Sequence, residues 1–598
     1  MGYWSESMNK QMRRALIRRA AVLGAAIALL GALCWPLLFT FSGFVGDWEH
    51  DLWLVWHQSV SIQSSGRPSR FLDSNYSLLY PLYEFYGGTL YAIGGAIAVA
   101  TGPVAAYVLI YVLAFAAAIG GWYWLARAAG VGAWLALVPG LIFVTATYYL
   151  AIVYVQGDWP EFTGISMIPL MAASAASVMR ADRLRPGAAL ALALSSVLFF
   201  GSHNLTILLA FTTLGPAVAL VLVAVTEARR LVSARGVVRV LGVSAPAALL
   251  SAWYLLPAIV YSPRTRIGGE YAHAKESLET TTFLVSLRHL FTFSRTSGIG
   301  LPAPYYLATA LPVLAIVWVL VGMLVLPSRG GSRAWTRVLL ICSGLAVVIA
   351  LAMTHVGLLL ALPRQYTMMQ FSYRLDVYVV LMLCAAVLAA LVLARAASRR
   401  ARIWRWMAVP VCAVSLAGAI WQLSSYPYPG QDRYGTFESY GEVEAGDNVD
   451  YQDTSAPKLA GPDLQALDFT LDRASGDGVA SAANLPPGTL LATNIGAGSY
   501  LLKVTGAQPV GVDAETGDMV LRTEPARKEA AVGDAGNAPS PTAQQSAATI
   551  TVSTGHGWPI VLGDLLSWLG GVALLLELLL LPAYRLLRRT GARLPRAG

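Results

Sequence analysis

The sequence has little charge for its length. Only 13% of its 598 residues are Asp, Glu, Lys or Arg, against about 25% in ordinary soluble domains. Hydrophobic residues make up 56%, and apolar runs near the ~20 residues that cross a bilayer recur along the chain. These features exclude a soluble multi-domain protein, and we expect an all-α polytopic membrane protein.

Cysteine is also scarce. The four cysteines lie in apolar runs, as Cys34, Cys342, Cys384 and Cys412. None falls between Ser425 and Gly557, so we expect no structural disulfide there. That segment carries 17 acidic and 7 basic residues, the reverse of the chain's formal net charge of +9. We interpret it as a separate, exported domain.

The familiar motifs of soluble enzymes are missing. The sequence has no HExxH, no P-loop, no Cys-x-x-Cys pair and no GxSxG with triad partners. The stretch "IGAGSY" lacks the strand–turn–helix frame of a dinucleotide site, and the seven histidines show no metal-ligand spacing. Any chemistry must therefore come from a less local arrangement.

The basic residues cluster in short loops between apolar runs, which argues against a nucleic-acid surface and marks the cytoplasmic side. Examples are Arg13 and Arg14, Arg180 to Arg185, and Arg395 to Arg405. The segment 86–100 is apolar but short, and if it crossed the membrane these clusters would lie outside. We therefore expect it to be external, with both termini cytoplasmic and about twelve spans, near 20–41, 103–126, 132–154, 161–179, 187–202, 205–226, 239–261, 304–326, 337–361, 374–394, 406–423 and 559–584.

Three regions follow from this topology. Residues 1–424 form a transmembrane domain with a long first external loop at 42–102. Residues 425–557 form a small β-rich extracytoplasmic domain, with strand-like pieces such as "ATITVSTG" and a mobile segment at 524–547. Residues 558–598 form the last transmembrane helix and a basic cytoplasmic tail.

Polar side chains gather at the external ends of the predicted spans. They are Asp47 and Asp51 in "VGDWEHD", Asp158 and Glu161 in "QGDWPE", His203 and Asn204 in "GSHN", and Gln370 and Arg374 in "MMQFSYR". Taken singly, each has a structural explanation: an interfacial helix, a helix cap, a capped turn or an ion pair. Taken together, they suit transfer from a phospholipid-linked donor to a hydroxyl acceptor. A carboxylate would remove the acceptor's proton, and Arg or His would stabilise the departing phosphate.

The motifs "GDWEHD", "YPLYEFYGGTLY", "QGDWPEFTGISMIPLM", "GSHNLTILLA", "WYLLPAI" and "MMQFSYRLDVYVV" together resemble a bacterial family. This is the YfhO-type, or 6-pyruvoyl-tetrahydropterin-synthase-related, membrane protein family of the GT-C superfamily. The resemblance covers roughly residues 42–381. It implies a GT-C-like fold and a bacterial inner-membrane glycosyltransferase. Such an enzyme uses a polyprenyl-phosphate sugar on the extracytoplasmic face, with inversion expected.

The resemblance also implies residue roles. Asp47 matches the catalytic base, with Asp51 as a rival. Asp158 and Glu161 match acids that bind a metal in some relatives and the acceptor in others, so a divalent cation (Mg or Mn) is a possible cofactor. Arg374, with Gln370, His203 and Asn204, is expected at the donor phosphate. The expected acceptor is an envelope glycan, glycolipid or polymer.

Two other functions stay open. A transporter or flippase of a lipid-linked precursor would carry ionisable groups inside the bundle and inverted repeats. A non-catalytic envelope-assembly scaffold would use the exported domain for binding. We expect no nucleic-acid partner for any of the three.

Overall fold

The computed structural model describes most of the chain. The described residues are 2–39, 47–73, 78–180, 184–225, 232–269, 287–288, 290–291, 311–326, 333–355, 357–358, 372–395, 398–425, 452–472, 477–482, 485–524, 548–555 and 557–589. Gln370 and positions 525–547 of the predicted mobile segment lie outside these ranges.

Helices dominate the described residues before 426 and after 557. In chain order they are α1 Gly2–Phe39, α2 Trp48–Ser65, α3 Leu82–Phe85, α4 Gly88–Thr101, α5 Pro103–Ala128, α6 Val138–Val144, α7 Thr147–Ala151, α8 Trp159–Arg180, α9 Pro186–Gly201, α10 Asn204–Ala224, α11 Ala234–Leu250, α12 Ala252–Tyr261, α13 Arg266–Gly269, α14 Val313–Val325, α15 Arg333–Thr354, α16 Asp376–Leu393, α17 Arg399–Trp406, α18 Ala408–Ser425 and α19 Trp558–Arg589. Short 3₁₀ turns at Leu135–Leu137, Ser262–Arg264 and Ser372–Leu375, and a π turn at Ile152–Gln156, complete the helical part.

The chain is a multi-pass membrane protein. Within the described residues, eight helices are long and apolar enough to cross a bilayer, or up to ten if each bent pair is one span. The bent pairs are Leu135–Val144 with Thr147–Gln156, at 55°, and Ala234–Leu250 with Ala252–Arg264, at 71°. Two other predicted spans coincide with shorter apolar helices, α9 and α14. The total of twelve therefore stays a prediction.

The segment predicted to be external forms α4, which has 14 residues and is shorter than a usual span. α4 packs closely against α2 through two glycines. A Cβ atom on Gly95 would lie 2.5 Å from Cβ of Gln58, and one on Gly94 would lie 3.2 Å from a methyl group of Val55. At position 95 only glycine permits this approach, so the close packing of α4 on α2 depends on Gly95.

Eleven strands occur in the described residues, nine of them between 458 and 554. The strands are β1 Leu72–Asp73, β2 Leu78–Tyr80, β3 Lys458–Leu459, β4 Leu464–Leu467, β5 Thr470–Asp472, β6 Asp477–Ala482, β7 Leu490–Thr493, β8 Leu502–Thr505, β9 Ala507–Asp513, β10 Met519–Thr523 and β11 Ala548–Thr554. The last nine form a five-stranded sheet in the order β3-β9-β10-β7-β4 and a four-stranded sheet in the order β5-β6-β11-β8. This is the β-rich unit that the strand-like pieces of the sequence predict.

The β-rich unit is joined to the first loop by backbone hydrogen bonds. The Leu78 amide donates to the Asn494 carbonyl at 2.6 Å, and the Gly496 amide donates to the Leu78 carbonyl at 2.9 Å. Leu78 and its neighbour Leu79 are both buried. The β unit therefore packs directly on the segment that connects α2 to α4.

Candidate active site

The site is built around the turn that leads into α8. The π turn Ile152–Gln156 ends at Gly157, which adopts a left-handed φ of 73°. The Gly157 carbonyl accepts hydrogen bonds from the phenols of Tyr107 at 3.3 Å and Tyr111 at 3.1 Å. A Cβ atom at Gly157 would lie 2.3 Å from the Trp48 amide nitrogen. Glycine is required here both for the backbone angle and for contact with the start of α2.

Asp158 lies directly before α8, and its side chain caps the helix. Its Oδ1 accepts the Glu161 amide hydrogen at 2.8 Å and the Tyr86 hydroxyl at 3.2 Å. Helix capping, the structural explanation of this motif, is therefore part of what Asp158 does. Glu161, in the first turn of the same helix, accepts the Tyr148 hydroxyl at 3.0 Å. Both carboxylates are buried.

Arg374 reaches these two carboxylates from the 3₁₀ turn before α16. Its Nη2 lies 3.7 Å from Oδ2 of Asp158, and its Nε lies 3.2 Å from Oε2 of Glu161. The predicted second-loop acids and the predicted phosphate contact, more than 200 positions apart in sequence, therefore form one cluster. We call Asp158, Glu161 and Arg374 the acid–arginine cluster.

Asp51 lies beside this cluster and is buried. One carboxyl oxygen accepts the Tyr91 hydroxyl, and the other accepts the Trp159 amide hydrogen at 2.9 Å. Burial raises the pKa of the Asp51 carboxyl well above its usual range, and the carboxylates of Asp158 and Asp47 raise it further. The hydrogen bonds from Tyr91 and Trp159 act in the opposite direction. Asp51 thus holds its proton more tightly than an exposed aspartate.

Asp47 occupies a different environment, one turn earlier. It is the N-cap residue of α2 and is exposed. Its backbone amide donates to the Gln156 carbonyl at 2.5 Å, which fixes it against the turn leading to Asp158. Of the two first-loop acids, Asp47 is therefore an exposed carboxylate and Asp51 a buried one.

His203 and Asn204 lie where α9 passes into α10. The Asn204 side chain donates to the Phe85 carbonyl, so its amide ties α10 to α3. The His203 ring meets the Tyr86 ring edge-to-face with centroids 5.3 Å apart, and its Nδ1 lies 2.8 Å from the Thr206 hydroxyl. Burial lowers the pKa of His203 to about 4; Asp158 opposes this shift and Arg374 adds to it. His203 is therefore a neutral imidazole near pH 7.

The described residues do not suit a divalent cation at Asp158 and Glu161. The Arg374 guanidinium already lies against both carboxylates. No group of three His, Cys, Asp or Glu side chains close enough to hold a metal occurs in the described part of the chain. A dication at these two carboxylates would have to displace Arg374 from both of them.

Sequence reasoning missed the tyrosines of the site. Tyr86, Tyr91 and Tyr148 each donate a hydrogen bond to one of its acids. Tyr86 and Tyr91 lie within the conspicuous stretch "YPLYEFYGGTLY", whose repeated tyrosines were the available signal. Tyr148 lies in an apolar run, where no sequence signal marks it.

No family model matches the chain, and no curated protein matches it. Solved structures do resemble it, among them the arabinofuranosyltransferase AftD from Mycobacteria, with 17% identity over 68% of this chain and 27% of that one, at a TM-score of 0.36. The apo oligosaccharyltransferase of Archaeoglobus fulgidus matches with 14% identity over 75% and 62%, at 0.41. ArnT from Cupriavidus metallidurans bound to undecaprenyl phosphate matches with 15% identity over 64% and 78%, at 0.27.

These neighbours are GT-C glycosyltransferases. The chain spans 27% of the mycobacterial protein and 62% of the archaeal one. Their TM-scores are too low for their activities or substrates to be transferred to this chain.

Proposed function

We propose that the chain is a GT-C-type glycosyltransferase. It transfers a sugar from a polyprenyl-phosphate donor to an envelope glycan, glycolipid or polymer on the extracytoplasmic face of the bacterial inner membrane. The observation that carries the proposal is that one turn, residues 156–158, contacts both an exposed carboxylate residue and a guanidinium. The Asp47 amide donates to the Gln156 carbonyl, and the half-buried guanidinium of Arg374 lies 3.7 Å from Asp158. A proton acceptor and a phosphate-stabilising cation are the two groups that the reaction needs.

The proposed reaction is a single displacement. The acceptor hydroxyl oxygen attacks C1 of the sugar, and its proton passes to the Asp47 carboxylate. The bond between C1 and the phosphate oxygen breaks, and its electron pair leaves with the polyprenyl phosphate, which gains one negative charge. Attack opposite the leaving group inverts the configuration at C1.

Asp47 suits the base better than Asp51 does. A general base must be unprotonated near the working pH and must be reachable by the acceptor. Asp47 is exposed, whereas Asp51 is buried and its raised pKa favours the neutral acid. In this proposal Asp51 is a positioning residue: it joins α2 to the start of α8 through the Trp159 amide and to α4 through Tyr91.

Arg374 would bind the departing phosphate. With Asp158 and Glu161 ionised, the acid–arginine cluster carries a net charge of −1, which would repel a phosphate. A proton taken up by the cluster, or a turn of Arg374 toward the lipid, lowers that repulsion. A neutral His203 can donate a hydrogen bond to phosphate but adds no positive charge.

The proposal fixes an orientation. The basic loops face the cytoplasm together with both termini, and the β-rich unit and the acid–arginine cluster face outward. The contact between Leu78 and the 494–496 turn supports this arrangement, because it packs the β unit on the same loop that carries Asp47 and Asp51.

A transporter or flippase of a lipid-linked precursor is the second candidate. One observation favours it: Asp376, within the candidate span Ser372–Leu393, is buried, and neither carboxyl oxygen has a hydrogen-bond partner among the described residues. Buried acids inside spans mark ion and proton pathways in transporters. Such a protein would move the precursor across the membrane without forming a glycosidic bond.

The test uses purified full-length protein in lipid nanodiscs. It is incubated with a panel of radiolabelled polyprenyl-phosphate sugars and with envelope glycans from cells that lack the gene. The proposal expects label to enter a glycan through a new glycosidic bond. Movement of labelled lipid across proteoliposome membranes, with no such bond, would favour the transporter instead.

A further inference from the structure

A cavity of about 220 Å³ lies along the C-terminal half of α2. Its walls come from the second half of α2, from the loop that follows, and from two strands of the four-stranded sheet. The β unit contributes Leu471 of β5 and Thr554 of β11. A ligand here would touch both the first loop and the β-rich unit.

Serine hydroxyls line one wall, and their hydrogens are already used. Ser61 donates to the Arg67 carbonyl at 3.1 Å, and Ser64 and Ser65 donate to the Ser61 carbonyl at 3.2 and 2.8 Å. A hydroxyl has one hydrogen and two lone pairs, so these oxygens can accept hydrogen bonds from a ligand while they keep the bonds they donate. A ligand that supplies donors therefore suits this wall.

The remaining walls add an aromatic surface and cationic donors. Trp56 lines the cavity half-buried, beside His57, whose ring is stacked between Trp53 and Tyr83 at centroid distances of 5.3 and 5.8 Å. Arg67 also lines the cavity, and its carbonyl oxygen accepts the Ser61 hydroxyl. An indole face suits an apolar ring surface, and a guanidinium supplies donors to oxygen.

We propose that this cavity binds one sugar ring of a glycan, at a distance from the reacting end. A sugar ring presents hydroxyl donors to the serines, oxygen acceptors to Arg67 and a C–H face to Trp56. A lone inorganic phosphate at neutral pH brings chiefly acceptors, which match Arg67 but not the serine oxygens. A lipid tail would leave the polar wall unpaired, and an ammonium ion would be repelled by Arg67.

The helix geometry separates this ring from the chemistry. Positions 56, 60 and 64 lie about 140°, 180° and 220° around α2 from Asp51, at about 100° per residue. Ser61 and Ser65, which also line the cavity, lie about 280° and 320° around the helix from Asp51. Their separation from the acids is therefore mainly along the helix axis, about 15 and 21 Å at about 1.5 Å per residue. This inference rests on the proposed function in one respect: the glycan bound here is the acceptor, whose other end reaches Asp47.

The experiment measures binding without any donor lipid. Oligosaccharides released from the source organism's envelope by mild acid are fractionated by size and added to full-length protein in nanodiscs. Saturation-transfer NMR reports binding, with inorganic phosphate as a second probe. We expect a fraction to bind saturably and to bind at least about tenfold more weakly to Trp56→Ala, a loss near 1.4 kcal/mol.

Two further variants guard against misfolding. Ser64→Trp places a large side chain from an exposed position into the cavity and should abolish binding. Trp558→Ala removes an indole that is 63% exposed outside the cavity and should leave binding unchanged.

Three results would overturn the inference: no fraction binds, Ser64→Trp binds like the wild type, or phosphate alone binds with the same sensitivity to these variants. The inference and the proposed function can fail separately. Glycan binding with no sugar transfer would refute only the proposed glycosyltransferase activity. Sugar transfer with no glycan binding at the cavity would refute only the proposed glycan site.

Discussion

Arg374→Met takes away the guanidinium that lies against two buried carboxylates. At an effective dielectric constant of about 20, Coulomb's law gives roughly 5 kcal/mol for the 3.2 Å contact with Glu161 and roughly 4.5 kcal/mol for the 3.7 Å contact with Asp158. Desolvation offsets much of this gross attraction. Removing one partner of such a buried pair nevertheless costs about 3–5 kcal/mol, because the remaining charges are left without compensation.

The assay is thermal unfolding in nanodiscs, followed by tryptophan fluorescence. Arg374→Met should lower the unfolding temperature. Adding Glu161→Gln should restore part of the loss, since one uncompensated carboxylate is then gone. Arg522→Met, which replaces an exposed arginine on β10, is the matched control and should change little. Wild-type stability in Arg374→Met, or a double variant weaker than the single one, would refute this reasoning.

Substitutions at three other positions test the surroundings of the site. Asp51→Asn resembles the neutral acid and should retain activity. Asp51→Leu should lower the stability, because it leaves the Trp159 amide and the Tyr91 hydroxyl without a hydrogen-bond acceptor. If Asp51→Asn protein were stable but inactive, Asp51 would be the base instead. The yield of folded Gly157→Ala protein should be well below that of Gly66→Ala. Both glycines have a φ of 73°, but only Gly157 lies against backbone atoms. Equal yields of the two variants would contradict the packing argument. Burial raises the pKa of Glu84 from 4.5 to about 7, with Arg70 lowering it and Asp564 raising it. The stability that this carboxyl contributes is therefore fully present below about pH 4.5 and is lost as the pH rises through about 7. We expect the unfolding temperature to fall over this pH range in the wild type and to fall less in Glu84→Gln. The same fall in both proteins would exclude Glu84 as its cause.

Much of the helical architecture could be predicted from apolar runs, because a spanning helix needs a long uncharged stretch. The bends could not. Residues 132–154 and 239–261 each read as one continuous run, yet the corresponding helices bend by 55° and 71° near Thr145 and Ser251. Such bends depend on which neighbouring helices can satisfy the freed backbone groups, and hydropathy does not record that.

The candidate site was only partly visible in the sequence. Acids beside a turn and an arginine at the mouth of a span were recognisable as a set, and the structure brings Asp158, Glu161 and Arg374 together. The difference between Asp47 and Asp51 was not recognisable, since both occur in one polar stretch. It arises from tertiary packing: α4 and the start of α8 cover Asp51 and leave Asp47 exposed.

The central claim is that Asp47 takes a proton from an acceptor hydroxyl during sugar transfer. The most direct measurement compares Asp47→Asn with the wild type in the nanodisc transfer assay, with Asp463→Asn, an exposed acid of the β-rich unit, as control. A general base contributes about 10²–10⁴-fold. The account predicts that the transfer rate of Asp47→Asn is at least about 10²-fold lower than that of the wild type, while its unfolding temperature and glycan binding match the wild type. Transfer at the wild-type rate by Asp47→Asn would contradict it.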